Sequence, residues 1–207
     1  MITTIIFDIG NVLFEWNPFK LTEKFVSDEK EAERLCNAVF LSQEWRNADA
    51  GLYGRMGTMN ALIEKYPDDI EIIKTLTKHA DEVLIENKAN IPFIKKLKDS
   101  GFDLYFLSNT NPGDFGYIES SSDVMQYLTG GIASYKIRLV KPDPEIFKYF
   151  LNKFNKKAEE CLFIDDFEKN TESAAGVGLK IINLRNMEDL QNEILKFAEI
   201  KEKVRGE

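Results

Sequence analysis

Cysteine and histidine are scarce in this chain. Cysteine occurs twice in 207 residues, at Cys36 and Cys161. The first lies in a helical pattern and the second opens a strand, so they form neither a metal cluster nor a disulfide framework and read as buried thiols. The single histidine, His79, lies on a distal helical stretch and reads as structural. No apolar run approaches the ~20 residues of a membrane span, and the first residues lack the basic region of a secretory leader, so a cytoplasmic protein is expected. A basic excess is missing too. With 27 Lys and Arg against 35 Asp and Glu the net charge is −8, which argues against nucleic acid or an anionic membrane as partner. There is no internal repeat and no low-complexity linker, and only the tail, KEKVRGE, is expected to fray.

Hydrophobic residues make up 43% of the chain, enough to bury a core as one ordinary domain carrying a subdomain. Continuous apolar runs at Thr3 to Phe7, Asp103 to Leu107, Gly131 to Tyr135, Cys161 to Asp165 and Leu179 to Leu184 suit the strands of a parallel sheet covered on both faces. Helical spacing is found at Ile91 to Ser100, Pro144 to Phe154, Glu168 to Ala175 and Met187 to Ile200. The fold expected is α/β, a doubly wound, Rossmann-like core from residues 1–15 and 87–207. Residues 16–86 (NPFKLTEKFV, DEKEAERLCNAVF, SQEWRNAD, TMNALIEKY, DIEIIKTLTKHADEVLIE) read as successive helices without a strand, a helical cap inserted after the first strand.

In open parallel sheets, ligands bind beyond the carboxyl ends of the strands. The first strand ends at Asp8, DLYFL runs into Ser108-Asn109-Thr110, and CLFID ends in Asp165-Asp166. Three carboxylates at one rim would repel unless a cation lay between them, and oxygen-only ligation suits Mg²⁺. In LVKPDPEIF, Lys141 stands just ahead of a helix that starts at about Asp143 or Pro144. An ammonium, a hydroxyl and helix dipoles around a metal make a site for a phosphate dianion, with Asp8 as nucleophile. Singly, each feature is a common cap or turn. Their joint occurrence, in fixed order and each at a strand end or helix start, points to a site.

FDIGNVLF, LSNTN, VKPDPEIF and FIDDFEKN, with a helical insert after the first, resemble the motifs of the haloacid dehalogenase-like hydrolase superfamily, most of whose members are Mg²⁺-dependent phosphatases. Asp-x-Gly-Asn-Val with Ser-Asn-Thr-Asn and Asp-Asp-x-x-x-Asn is similar to sugar-phosphate phosphatases of the α-D-glucose-1-phosphate phosphatase type, and more distantly to the phosphatase domain of soluble epoxide hydrolase. The resemblance implies that Asp8 forms an aspartyl-phosphate, with Mg²⁺ bridging its carboxylate and the phosphoryl group. Ser108 and the Asn109 amide would hold phosphate oxygens, and Lys141 would tie the nucleophile to them. Asp166 and the Gly10 carbonyl would ligate the metal, Asp165 would ligate it or orient its waters, and Asn170 would stand behind. The partner implied is a small phosphorylated metabolite, a sugar phosphate first, acted on by a monomer or homodimer.

Gly10 departs from the family pattern. Most of its phosphatases carry a second Asp there, which protonates the leaving alkoxide and then activates water, typically a ~10²–10⁴-fold contribution. A sugar-1-phosphate, whose anomeric hydroxyl is more acidic than an ordinary alcohol, would need that group less. In the cap, SQEWRNADAG is the expected contact segment, with Trp45, Arg46 and Asp49, joined by Trp16 and Glu15 at the first hinge. Two other readings remain, a metal-free 2-haloacid dehalogenase and a non-catalytic module that binds a phospho-ligand.

Overall fold

The computed structural model describes residues 1–205. Strand β1 (Thr4–Phe7) is followed by β2 (Phe14–Trp16), the helices α1 (Pro18–Glu23), α2 (Glu29–Val39), α3 (Gln43–Asp49), α4 (Arg55–Lys65) and α5 (Ile70–Lys78), and then β3 (Leu84–Glu86). Alternation follows: α6 (Ile91–Asp99), β4 (Asp103–Ser108), α7 (Pro112–Ser121), β5 (Gly130–Ala133), α8 (Ser134–Ile137), α9 (Pro144–Lys153), β6 (Cys161–Asp165), α10 (Glu168–Gly176), β7 (Lys180–Asn183), α11 (Leu190–Ile194) and α12 (Ala198–Arg205). The main sheet is parallel, in the order β5-β4-β1-β6-β7. The chain builds outward from β1 on one side, then crosses back to build on the other, so the switch point lies at the end of β1.

Strand residues alternate between two cores. Ile5, Phe7, Leu104, Phe106, Leu162 and Ile164 face one side with Phe93, Ile94 and Leu97 of α6 and Leu190 and Ile194 of α11. Ile6, Tyr105, Leu107 and Phe163 face the other with Ile146, Phe147 and Phe150 of α9. Burial on both faces explains why the strands read as unbroken apolar runs. The first core continues into the α1–α5 segment through Leu35, Val39, Phe40, Trp45, Leu62 and Leu76. No helix of the described residues is long and apolar enough to cross a membrane.

The structure departs from expectation in several places. The run ending in LIE is a strand: helix α5 stops at Lys78, and β3 pairs antiparallel with β2, Phe14 opposite Glu86 and Trp16 opposite Leu84. A two-stranded ribbon therefore stands at the base of the helical segment, where no strand was expected. Burial there switches to alternation, with Leu84 buried and Ile85 exposed. The strand expected over 131–135 ends at Ala133, because Ser134 turns its hydroxyl to the Thr110 and Asp49 carbonyls and opens α8. The helix expected over 187–200 is broken into α11 and α12. Ile194 and Ile200 are both fully buried, yet six residues apart they lie on different faces of a continuous helix, so the break lets both reach the core. Helix α7 was missed, its two glycines and weak apolar pattern hiding it. The tail expected to fray is helical over 201–205, and Gly206 and Glu207 lie outside the described residues.

The close approach of the chain after α3 to α8 depends on one glycine. Gly51, two residues beyond α3, has φ +72°, and a Cβ there would collide with the Tyr135 carbonyl oxygen. Gly51→Ala is therefore expected to cost more than about 1 kcal/mol in urea unfolding, through both the left-handed backbone and the lost close approach; an unchanged midpoint would contradict this.

Candidate active site

Parallel pairing sets the site. Phe7 lies opposite Phe106 on β4 and Ile164 on β6, which brings Asp165 level with Asp8 and puts Ser108 a step further along the same edge. The Asp8 amide donates to the Ile164 carbonyl at 2.8 Å, holding the residue against β6 after its strand has ended. The chain then turns sharply, the Leu13 and Phe14 amides both donating to the Ile9 carbonyl at 2.9 Å. Asn11 takes the left-handed conformation at φ 53°, which asparagine tolerates better than most residues. Its side chain donates to Asp166 Oδ2 at 2.9 Å and accepts the Trp16 amide at 3.0 Å, linking the turn to both β6 and β2.

Lys141 is buried under Asp8. Its Nζ lies 2.8 Å from Asp8 Oδ1 and donates to Asp165 Oδ2 at 2.6 Å. Its main chain is clamped by Asn109, whose Nδ2 donates to the Lys141 carbonyl at 2.9 Å and whose Oδ1 accepts the Lys141 amide at 2.8 Å. The loop after β4 thereby fixes the lysine from α9's leading edge. Asp143 caps α9 by accepting the Glu145 amide at 2.9 Å, with Pro144 first in the helix, as the sequence suggested.

Asp165 is fully buried, and its two oxygens accept from Lys141, the Phe167 amide and both approaches of Asn170 Nδ2, at 2.6 to 3.1 Å. Those contacts occupy its lone pairs. Oxygens of Asp8, Asp165 and Asp166 nonetheless lie within 4.8 Å of one another. The donor set is all oxygen and anionic, and it fits a hard divalent cation. Asp8 and Asp166 have oxygen capacity left for direct ligation. The Oδ1 of Asn170 is buried without a partner among the described residues, an acceptor suited to a water on such an ion.

Electrostatics favour a cation as well. Burial pushes the Asp8 carboxyl above the usual range, opposed by Lys141 and reinforced by Asp165 and Asp166. Asp166 also rises through burial, against its hydrogen bond from Asn11 and with a push from Asp165. Burial would discharge Lys141, but the carboxylates of Asp165 and Asp8 outweigh it and hold its pKa above the ordinary value. A divalent ion would oppose these upward shifts and favour the charged forms of Asp8 and Asp166.

Above this floor lies a cavity of about 310 Å³, a size suited to a small ligand. Asp8, Gly10, Ser108, Asn109, Thr110 and Asp166 line its base, and Trp16, Phe40, Leu41, Trp45, Arg46 and Asp49 line the other side. Most residues singled out in the sequence thus meet in one place, with Lys141, Asp165 and Asn170 packed beneath. Ser108 Oγ makes only a 3.4 Å contact to the Asn109 carbonyl among the described residues, too long to engage it fully. The side-chain amide of Asn109 is occupied by Lys141, so any phosphate contact there falls to its main chain. Trp45 is core and wall together, 4.9 Å from the Phe40 ring. Arg46 donates to the Leu41 carbonyl at 2.8 Å. Glu15 turns to Asn17 at 3.4 Å, away from the cavity, and His79 pairs with Glu82 at 2.7 Å on the α5 side. Cys36 and Cys161 are buried free thiols.

Sequence reasoning missed Asp114, which lines the cavity beside Asp49. Asn111 caps α7 by accepting the Gly113 and Asp114 amides at 3.0 and 3.1 Å, and donates to Asp114 Oδ2 at 2.7 Å. Arg55 of α4 reaches Asp114 at 3.4 Å and also grips Asp81. Asn-Pro ahead of a helix was readable as a cap; an ion pair 59 residues apart leaves no local pattern. Burial raises the Asp114 carboxyl to about 6, with Arg55 opposing. Asp49 is raised to about 8, by burial first and the neighbouring Asp114 second, with Asn111 opposing and Asp8 adding.

Comparison with known proteins agrees with this geometry. A family model described as hydrolase, haloacid dehalogenase-like hydrolase, matches residues 2–178. The chain is 25% identical over 185 residues to the sesquiterpene phosphatase astK of Aspergillus oryzae, covering 86% of this chain and 88% of that protein. It is 25% identical over 214 residues to the D-ribitol-5-phosphate phosphatase of Bacteroides thetaiotaomicron, covering 94% and 97%. A solved structure of the enzyme bt-2542 from Bacteroides thetaiotaomicron, in complex with magnesium and inorganic phosphate, superposes with a TM-score of 0.70 at 20% identity, over 88% of this chain and 93% of that one.

Raised carboxyl pKa values make a prediction about stability. Asp8 and Asp49 bind protons in the folded state that they release when unfolded, so their stabilising effect is complete below the unfolded aspartate value of about 3.9 and is lost as pH rises toward the folded one. For Asp49 that window closes at about 8. Urea unfolding of the metal-free protein is expected to show stability falling from about pH 5 to about pH 8, with a shallower fall in Asp49→Asn. A wild-type profile that rises over this range would contradict it.

Proposed function

Because the chain belongs to the haloacid dehalogenase-like hydrolases, we propose that it is a Mg²⁺-dependent phosphatase that cleaves small phosphomonoesters through a phosphoryl group carried on Asp8. The observation that supports this most strongly is the arrangement of Lys141 between Asp8 and Asp165 at 2.8 and 2.6 Å, with an Asp166 oxygen within 4.8 Å. A buried lysine holds the attacking carboxylate in one orientation, and the second carboxylate fixes the lysine.

Mg²⁺ held by Asp8, Asp166 and the Gly10 carbonyl would offset the charge of the phosphoryl group and align it. Asp8 Oδ then attacks phosphorus from the floor, in line with the departing ester oxygen. Ser108 Oγ and main-chain amides following β4 donate to the phosphoryl oxygens, helped by the positive end of α7. Lys141 keeps Asp8 oriented and balances the charge that gathers around it. Asp165 acts through Lys141 and Asn170 rather than by direct ligation, since its lone pairs are already occupied. Residues 16–86 act as the cap that covers the phosphoryl group, excludes bulk water and selects the body of the substrate.

A sugar phosphate is the substrate reading that follows from the Asp8-Ile9-Gly10-Asn11-Val12 pattern, with Arg46 and Asp49 as hydroxyl partners. The wall of the cavity favours a second reading. Trp16, Phe40, Leu41, Leu84, Ile118 and Phe167 line it, Leu41 and Phe167 are exposed at 45% and 53%, and an apolar body such as a prenyl chain would cover them. Likeness to the sesquiterpene phosphatase supports that option, and likeness to the D-ribitol-5-phosphate phosphatase supports the first.

Phosphate release should be measured on sugar 1-, 5- and 6-phosphates and on prenyl monophosphates, with Mg²⁺ or with chelator. Release is expected to need Mg²⁺ and to fall by at least about 10³-fold in Asp8→Asn, which removes the nucleophile. Undiminished release from Asp8→Asn would refute the mechanism. Halide release from a 2-haloacid without metal would assign the site to dehalogenation, and metal-dependent phosphate binding without turnover would make it a sensor.

A further inference from the structure

We propose that Asp49 is the general acid and base of the reaction, giving a proton to the leaving oxygen and later taking one from the attacking water. This rests on the phosphatase reading above and supplies the group that Gly10 lacks. Crowding does not require glycine at position 10: a Cβ there would lie 3.7 Å from Trp16 Cβ, an ordinary contact, and its φ is not among the positive ones. The side chain is therefore dispensable, which directs attention to another proton carrier in the cavity.

Geometry selects Asp49 from the carboxylates available. In-line displacement puts the leaving oxygen on the far side of phosphorus from the nucleophile. Asp8 enters from the end of β1, whereas Asp49 enters the same cavity from the end of α3. Helix α3 is anchored for this: Trp45 and Ala48 are buried, Ser134 Oγ donates to the Asp49 carbonyl at 2.5 Å, and Gly51 lets the chain close on Tyr135. Among the described residues, the Asp49 carboxyl group makes one hydrogen-bond contact, at 3.5 Å from Asn111 Nδ2. Of the alternatives, Asp114 is held by Asn111 at 2.7 Å and by Arg55 at 3.4 Å, and Asp166 by Asn11 at 2.9 Å.

The groups around Asp49 keep it protonated near neutrality. Asp114 of α7 faces it, partly offset by Arg55, which Asp81 also grips; Asp8 and Asp166 lie across the cavity; Arg46 stands on its own helix. Lys65 and Lys136 pair with Glu44 and Glu119 instead. Burial, Asp114 and Asp8 raise Asp49 to about 8 against the hydrogen bond from Asn111, where a carboxyl can act as acid at neutral pH.

Proton and bond accounting closes. Asp8 Oδ bonds to phosphorus as the ester P–O bond breaks, and the departing oxygen takes the Asp49 proton to leave as an alcohol. Water then attacks phosphorus, giving one proton to the Asp49 carboxylate while the P–Oδ bond breaks. Inorganic phosphate departs, and both aspartates return to their starting states.

The test compares an alkyl phosphate, whose leaving group needs a proton, with a nitrophenyl phosphate, whose leaving group does not. It is read as kcat/KM for wild type, Asp49→Asn and Asp8→Asn with Mg²⁺. Asp49→Asn is expected to lose about 10²-fold or more on the alkyl ester and at least tenfold less than that on the aryl ester. The wild-type decline on the alkyl ester above about pH 8 should vanish in the variant. Equal losses on both esters, or no loss on either, would overturn the role of Asp49 while leaving the phosphatase intact. A wild type inactive on both, with Asp8→Asn no different, would remove the phosphatase reading and this proposal together.

Discussion

One lysine holds the site in one piece. Asp8 and Asp165 stand level at the ends of adjacent parallel strands, both buried, and a cation between them offsets the repulsion of two neighbouring carboxylates. Lys141 provides that cation from a different part of the chain, 2.6 and 2.8 Å from the two. Removing one partner of such a buried pair costs about 3–5 kcal/mol, set against a total stability of about 5–15 kcal/mol. The arrangement is therefore a structural constraint in its own right. Asn109 at the end of β4, the Asp143 cap of α9 and Asn170 on α10 all contribute to keeping the lysine and its partners in place.

A charge count explains why a metal belongs with this group. Three carboxylates face one ammonium, and Asp166, which among the described residues accepts a side-chain hydrogen bond from Asn11 alone and is more open than the other two, carries the excess. Asp165 cannot move to relieve it, being hydrogen-bonded on both oxygens. A hard cation between Asp8 and Asp166 would neutralise the excess and create a positive face where a phosphoryl dianion can sit. The same ion would leave the opposite wall, from α3, free to serve the leaving group.

Much of this was legible in the sequence because parallel strands buried on both faces leave long apolar runs, and polar residues that end such runs stand out. Asp8, Ser108 and Asp165 stood out that way, and the Lys-Pro-Asp-Pro run marked Lys141 and the start of α9. Where two periodicities meet in a few residues the reading failed: LIE looked like the end of a helix and is a strand, and Ser134-Tyr135 looked like a strand and opens a helix. Pairings across long separations left no local trace. Arg55 with Asp114 and Asn109 with the Lys141 backbone depend on the fold, and so does the meeting of Asp49 with Asp8 in one cavity.

Everything proposed for the site requires Asp8 to carry the phosphoryl group. Mass spectrometry of the Mg²⁺-loaded protein, acid-quenched during turnover of a phosphomonoester and then digested, tests this most directly. The prediction is one phosphoryl adduct on the peptide containing Asp8, absent from the unreacted protein and from Asp8→Asn. A phosphoryl group on another residue, or steady phosphate release with no adduct at any quench time, would contradict it.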